Sequence, residues 1–100
     1  MQKLTTKQTQ YLKGLAHKLK PVVMIGQHGL TEAVLTETES ALAHHELIKI
    51  KVSGAEKETK ASIIHTISQH LNCYVIQQIG HTATLYRAHA DPAKAKIKLP

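Results

Sequence analysis

The stretch VVMIGQHGLTEAV, residues 22–34, decides how the chain is read. An apolar run stops at Gly26, Gln27 and His28 follow, and Gly29 closes the gap before the pattern turns helical. A continuous apolar run predicts a strand buried on both faces. Thr31 reads as the N-cap of the helix that follows, with Glu32 in its first turn, where negative charge is favoured. The two glycines therefore sit at a strand-to-helix junction.

Outward from that junction the rest of the order falls into place. Thr5 and Gln8 have the spacing of a capping box. Tyr11, Leu12, Leu15, Ala16 and Leu19 then recur at helical spacing, which predicts a buried stripe. Lys20-Pro21 ends this first helix, because the residue before proline disfavours helical dihedrals. Beyond the junction, Val34, Leu35, Ala41 and Leu42 give the second helix its apolar face, with Glu37, Glu39 and Glu46 on the solvated side. LIKIKV, residues 47–52, alternates Ile48, Ile50 and Val52 with Lys49 and Lys51, the period of a half-buried strand. Lys49 and Lys51 fit either a solvated, lysine-protected strand or a cationic contact stripe. A third helix over 56–71 turns Ile63, Ile64, Ile67 and Leu71 inward. CYVIQQI (73–79) and TATLYRA (82–88) read as strands joined by a Gly80-His81 hairpin turn.

The order α-β-α-β-α-β-β predicts an α/β fold, a small mixed four-stranded sheet with three helices. Its strand–helix–strand units favour parallel pairing through right-handed crossovers. At 100 residues with no repeat or linker, the chain reads as one domain over 1–100. Residues 89–100 read as a basic C-terminal tail, whose KIKL could instead add a short strand.

With parallel strands, three connections share one edge: 26–29, 53–54 and 80–81. Ligands of open sheets often bind at that edge. The end of helix one that carries Lys3 and Lys7 is expected there, as are Lys51, Lys57 and Lys60. A GxxG junction leaves N–H groups unpaired at a helix start, where the dipole attracts anions. Glycine lets a bulky backbone approach closely, and KH domains clamp a nucleic-acid backbone with such a loop. A tight turn with a glycine cap fits the same residues.

Charge and composition narrow the classes. Lys+Arg number 13 against 7 Asp+Glu, a formal net charge of +6, which suits a polyanionic partner. With three Tyr, no Phe and no Trp, the core must be aliphatic. An RRM, which stacks bases on exposed aromatics, is disfavoured for the same reason. Tyr74 and Tyr86 read as packing residues with hydroxyls at the surface. The lone Cys73 excludes a disulfide framework and reads as a packed thiol. No signal region or membrane-length run appears, so a cytoplasmic protein without a membrane partner is expected. The histidines include adjacent His44-His45 with Glu46, and His65, His70, His81 and His89, without metal-ligand spacing. No GxxxxGK[ST] loop or nucleophile–base set appears. The expectation is a non-enzyme without cofactor or metal.

Three segments carry a family resemblance: KGLAHKLKPVVMIGQHGLTEAV, LIKIKVSG and IGHTATLYR. They resemble the CRM domain, the chloroplast RNA splicing and ribosome maturation family, and within it the stand-alone bacterial YhbY-like members. The likeness runs from about residue 4 to residue 87. It rests on Lys13-Gly14-Leu15-Ala16, on Ile25-Gly26-x-x-Gly29-Leu30-Thr31 and on Leu85-Tyr86-Arg87. The resemblance implies a fold similar to the C-terminal domain of bacterial translation initiation factor three. It also implies RNA binding by the GxxG loop and nearby basic residues, in precursors of the large ribosomal subunit.

The expected RNA contacts are Gly26, Gln27, His28, Gly29, Lys7, Lys13, Lys51 and Arg87, in a monomer bound to ribosomal RNA. An ion pair would also account for Arg87. Family loops commonly carry a basic residue between the glycines, whereas here the pair is Gln27-His28. His28 can donate a hydrogen bond and gain charge near phosphate. The rival class is a protein-interaction adaptor on the ribosome or a translation factor, with incidental RNA affinity.

Overall fold

The structure, a computed structural model, describes residues 3–100. Its elements in chain order are α1 (Thr6–Ala16), β1 (Pro21–Ile25), α2 (Glu32–His45), β2 (Leu47–Val52), α3 (Lys57–Leu71), β3 (Tyr74–Ile79) and β4 (Thr82–Tyr86), then a 3-10 turn at Pro92–Lys94. The capping box opens α1: Gln8 N–H donates to Thr5 Oγ1 at 3.1 Å, and Thr5 N–H to Gln8 Oε1 at 3.0 Å. Asn72, left-handed at φ 50°, ends α3.

The sheet order is β1-β2-β4-β3. β1 and β2 are parallel, and β4 is antiparallel to both β2 and β3. β3 therefore runs in the same direction as β1 and β2 without pairing with either. The β2–α3–β3 unit leaves a gap between its strands, and β4 fills it. Burial explains the choice. Ala83, Thr84, Leu85 and Tyr86 of β4 are all buried, whereas β3 carries exposed Val75, Gln78 and Ile79 and suits an edge. β1 forms the other edge and is not buried on both faces. Val23 and Ile25 are buried, while Val22 and Met24 are 48% and 62% exposed.

Each face has its own core. Against α2 and α3 lie Val23, Ile25, Ile48, Ile50, Val52 and Leu85, with Leu42, Ile64 and Ile67 from the helices. On the opposite face, α1 sets Leu12 and Ala16 against Leu47, Ile76 and Tyr86. Full burial of each large aliphatic side chain stabilises the fold by roughly 1.5–3 kcal/mol. The predicted stripe on helix one is narrower than its spacing implied. Tyr11, Leu15 and Leu19 stay exposed, because the helix stops at Ala16 and covers only part of the sheet.

Glu46 departs most from its sequence reading. It is 1% exposed, not solvated, and sits at φ 65° between α2 and β2. Its carboxylate accepts the N–H groups of His89, Lys96 and Ile97, and so holds the C-terminal segment to the body. Ile97 and Leu99 pack on the α1 core, and no strand forms there. Tyr86 is only 3% exposed and stacks on Tyr74 with ring centroids 6.2 Å apart. Its hydroxyl is thus less open than expected. Burial, then the Glu46 carboxylate and Tyr74, raise its pKa above the ordinary phenol value.

A candidate nucleic-acid interface

The three expected connections do share the carboxyl edge. Ser53 N–H donates to the Ile25 carbonyl at 2.9 Å and Val52 N–H to the His81 carbonyl at 2.7 Å, so the three loop segments are tied together. In the first of them, Gly29 N–H donates to the Gly26 carbonyl at 3.0 Å and closes a tight turn, with Gln27 and His28 exposed at its tip. Gly29 stands at φ +66°, a left-handed conformation that favours glycine. Gly26 has no such requirement, and a Cβ there would meet nothing within 4 Å. Neither backbone conformation nor packing therefore requires glycine at this position. Thr31 caps α2 by accepting Val34 N–H at 3.2 Å, leaving the donors of the first turn directed toward the loop.

Rungs of aligned residues cross the sheet below this loop, on the α1 face. Met24, Lys51, Thr82 and Ile79 form the rung nearest the loop; Lys49, Thr84 and Gln77 form the next. The third, Leu47, Tyr86 and Tyr74, lies at the α1 core. Gly26 follows Met24 by two residues, about 7 Å along a strand, which brings Lys51 beside the loop. Lys13 and His17, from the end of α1, line a groove with Lys49, Gln77 and Ile79.

Charge is segregated between the faces. All seven carboxylate side chains lie on α2 (Glu32, Glu37, Glu39), between α2 and β2 (Glu46), at the start of α3 (Glu56, Glu58) or in the C-terminal segment (Asp91). α1 and the four strands carry lysines and no acid. The open face below the loop is therefore cationic without local compensation.

The expected site residues divide accordingly. Gly26, Gln27, His28 and Gly29 stand at this edge with Lys51 on the nearest rung, and Lys13 lies on the α1 face, in the groove with Lys49, Gln77 and Ile79. Lys7 does not join them. It lies six residues before Lys13, about 9 Å along the helix axis, at the end where Gln8 donates to the Pro100 carbonyl at 3.3 Å. α1 points its carboxyl end, not its amino end, toward the open part of the sheet. Arg87 lies beyond β4 at the opposite edge. It pairs with Glu39 at 2.5 Å and donates to the Leu71 carbonyl at 3.0 Å. Lys60 reaches the edge from below but is buried, its Nζ 3.4 Å from the Gly80 carbonyl and 3.1 Å from His81 Nδ1, so it braces the hairpin turn. His17 and Gln77 were not foreseen. No local pattern marks Gln77; a register shift in β3 places it.

Cys73 is 2% exposed, and burial pushes its thiol up to about 11, against a smaller lowering by Arg87. It is a packing residue and not an activated nucleophile. Among the described residues no cluster of His, Cys, Asp and Glu is placed to hold a metal ion, and no helix is long and apolar enough to cross a membrane.

Fold and edge together define a class: a small α/β protein with an exposed glycine loop at the carboxyl edge of its sheet. Within that class the chain belongs to the CRS1/YhbY (CRM) domain family, whose model matches residues 4–87. It is 56% identical over 100 residues to a Haemophilus influenzae protein named RNA-binding protein, covering 100% of this chain and 98% of that one. It is 30% identical over 97 residues to the Bacillus subtilis protein named "Probable RNA-binding protein YqeI", covering 97% of this chain and 99% of that one. A solution structure from Staphylococcus aureus, of a hypothetical protein proposed to bind RNA, superimposes with a TM-score of 0.82 at 32% identity, covering 98% of this chain and 100% of the other.

Proposed function

We propose that this protein binds ribosomal RNA in precursors of the large ribosomal subunit, without catalysing a reaction on it. One observation carries the reading: the open 26–29 loop sits on the same edge as a lysine-bearing face that has no carboxylate. In this mechanism the loop and the first turn of α2 receive a phosphate through backbone N–H groups. Lys13, Lys49 and Lys51 neutralise neighbouring phosphates, and His28 adds a donor at the loop tip. Contacts of this kind fix position and carry little sequence information. The names of the relatives support RNA as the polyanion, and the buried, un-ionised Cys73 fits a role without covalent chemistry.

The test is binding of a structured RNA hairpin across a salt series, with sedimentation of the tagged protein against ribosomal precursors. Neutralising the phosphates that Lys13, Lys49 and Lys51 meet gives a slope of log K against log salt of about −2. Co-sedimentation with large-subunit precursors is expected. A flat salt response, or a protein that stays with the free pool, would overturn the proposal.

One observation favours the adaptor reading as a second activity. Leu15, Leu19 and Val22, all exposed, line an apolar groove of about 530 Å³ near the start of β1, away from the loop.

A further inference from the structure

The open half of the α1 face holds more than scattered lysines. Two grooves meet there. One, about 350 Å³, is lined by Lys13, Gly14, Ala16, His17, Lys49, Gln77 and Ile79. The other, about 230 Å³, is lined by Lys49, Gln77, Ile79, Thr82 and Thr84. Sharing three residues, they form one trough, in the size range of sites that seat a small ligand. We propose that this trough receives a single unpaired nucleotide of the bound RNA, a contact that rests on the RNA-binding reading above and adds a preference for single-stranded elements to it.

Three features point to a built site. The first is the register shift in β3. Val75 aligns with Leu85 and Gln77 with Thr84, so Ile76 is an extra residue. Ile76 packs into the α1 core, and the shift aims Gln77 at the same face, into the trough. The second is Gly14. Glycine inside a helix costs about 1 kcal/mol relative to alanine. Packing does not require it, since a Cβ at Gly14 would meet nothing within 4 Å. What its absence does is keep the helical wall of the trough low. The third is an unused set of polar groups. Among the described residues, the half-buried side chains of Lys49, Gln77 and Thr82 make no hydrogen bond or ion pair within the chain, and Thr84, 3% exposed, closes the floor beneath them.

The chemistry of these groups fits a nucleotide. Lys49 and Lys13 supply positive charge for a phosphate, with no carboxylate on the face to oppose it. The Gln77 amide offers both a donor and an acceptor, which is what a base edge requires. Ile79, 65% exposed, gives the base an apolar surface in a protein that has no aromatic residue there. A duplex cannot use the trough, because its bases are stacked and paired, whereas an unpaired base can be splayed into it.

The experiment compares two RNA hairpins with the same stem, one fully paired and one with a three-nucleotide bulge, by fluorescence anisotropy at fixed salt. Wild-type protein is expected to bind the bulged hairpin about tenfold more tightly, within the range that one bidentate amide contact to a base edge supplies. Gln77→Ala and Gly14→Leu should each remove most of that difference while binding the paired hairpin as wild type does. Gly14→Leu fills the trough with a good helix former at an open position, so misfolding does not confound it. Equal affinity of the wild type for both hairpins, or an undiminished preference in both variants, overturns the nucleotide site alone. Failure of the wild type to bind either hairpin overturns the RNA-binding reading with it.

Discussion

Gly26 and Gly29 share a loop, and the structure assigns them different costs. At Gly29, φ is +66°, so any other residue must hold a left-handed backbone, at about 1–2 kcal/mol. For a chain of this length that lowers Tm by about 4–8 °C per kcal/mol. Gly26 is outside that region, and its Cβ position is open. Alanine or valine there should be neutral, or stabilising by up to about 1 kcal/mol because the unfolded chain loses freedom. Affinity should not follow stability. A branched side chain at Gly26 stands where a sugar–phosphate backbone has to approach the first turn of α2. Loss of one charge-assisted hydrogen bond there is worth about 1.5–3 kcal/mol, or roughly ten- to a hundredfold in Kd. Gly26→Val should therefore keep or raise Tm and bind a structured RNA hairpin at least tenfold more weakly. Gly29→Ala should lower both. Thermal melts by circular dichroism and anisotropy titrations on the same samples give the two readouts. Wild-type affinity in a folded Gly26→Val protein would refute the argument that this loop receives the RNA backbone.

Three further outcomes follow from the same geometry. Lys13→Gln with Lys51→Gln should flatten the salt slope by about 1.4, two contacts at the single-strand value, whereas Lys7→Gln should leave it unchanged; an equal effect of Lys7 would contradict the placement of α1. Glu46→Gln keeps one acceptor oxygen but turns an amide toward N–H donors, and should destabilise the fold by about 2–4 kcal/mol; hydrogen exchange should show the Lys96 and Ile97 amides opening faster, and unchanged protection there would refute the clamp. Cys73 has a folded pKa raised from 9.0 to about 11, so its contribution to stability is complete below about pH 9 and is lost as pH rises toward 11; Cys73→Ala should show a smaller fall in Tm over that window, and an identical fall would assign the effect elsewhere.

Element order was legible because it rests on local signals. The Thr5–Gln8 box, the Thr31 cap and the alternation of Ile48, Ile50 and Val52 with lysines each act over a few residues. What was not legible depends on pairing between distant segments. The apolar run at 22–25 looked doubly buried, yet β1 is an edge strand with one covered face, and nothing in four residues tells the two apart. Glu46 ended a helical pattern of exposed acids, and its burial depends on N–H groups from residues 89, 96 and 97. Arg87 fitted a basic surface in sequence. Antiparallel β4 carries it to the far edge, where Glu39 and the Leu71 carbonyl occupy its guanidinium.

The position of β4 links the unread part of the fold to its use. Had β3 paired directly with β2, Lys49 and Lys51 would lie directly beside β3, and β4 would be an outer strand. With β4 between them, Thr82 and Thr84 separate the lysines of β2 from Gln77 and Ile79 of β3. The short β-branched hydroxyls make a floor, and the longer side chains on either side make walls. α1 covers the amino half of this face and ends at Ala16, so the floor stays open on the side of the 26–29 loop. The residues that looked least informative, Thr82 and Thr84 in β4 and Gln77 in β3, thus shape the surface that carries these lysines. The acids of α2 and α3 remain behind the sheet. On the proposed reading, a polyanion meets the α1 face where the trough opens toward the carboxyl edge, and the 26–29 loop stands at that same edge.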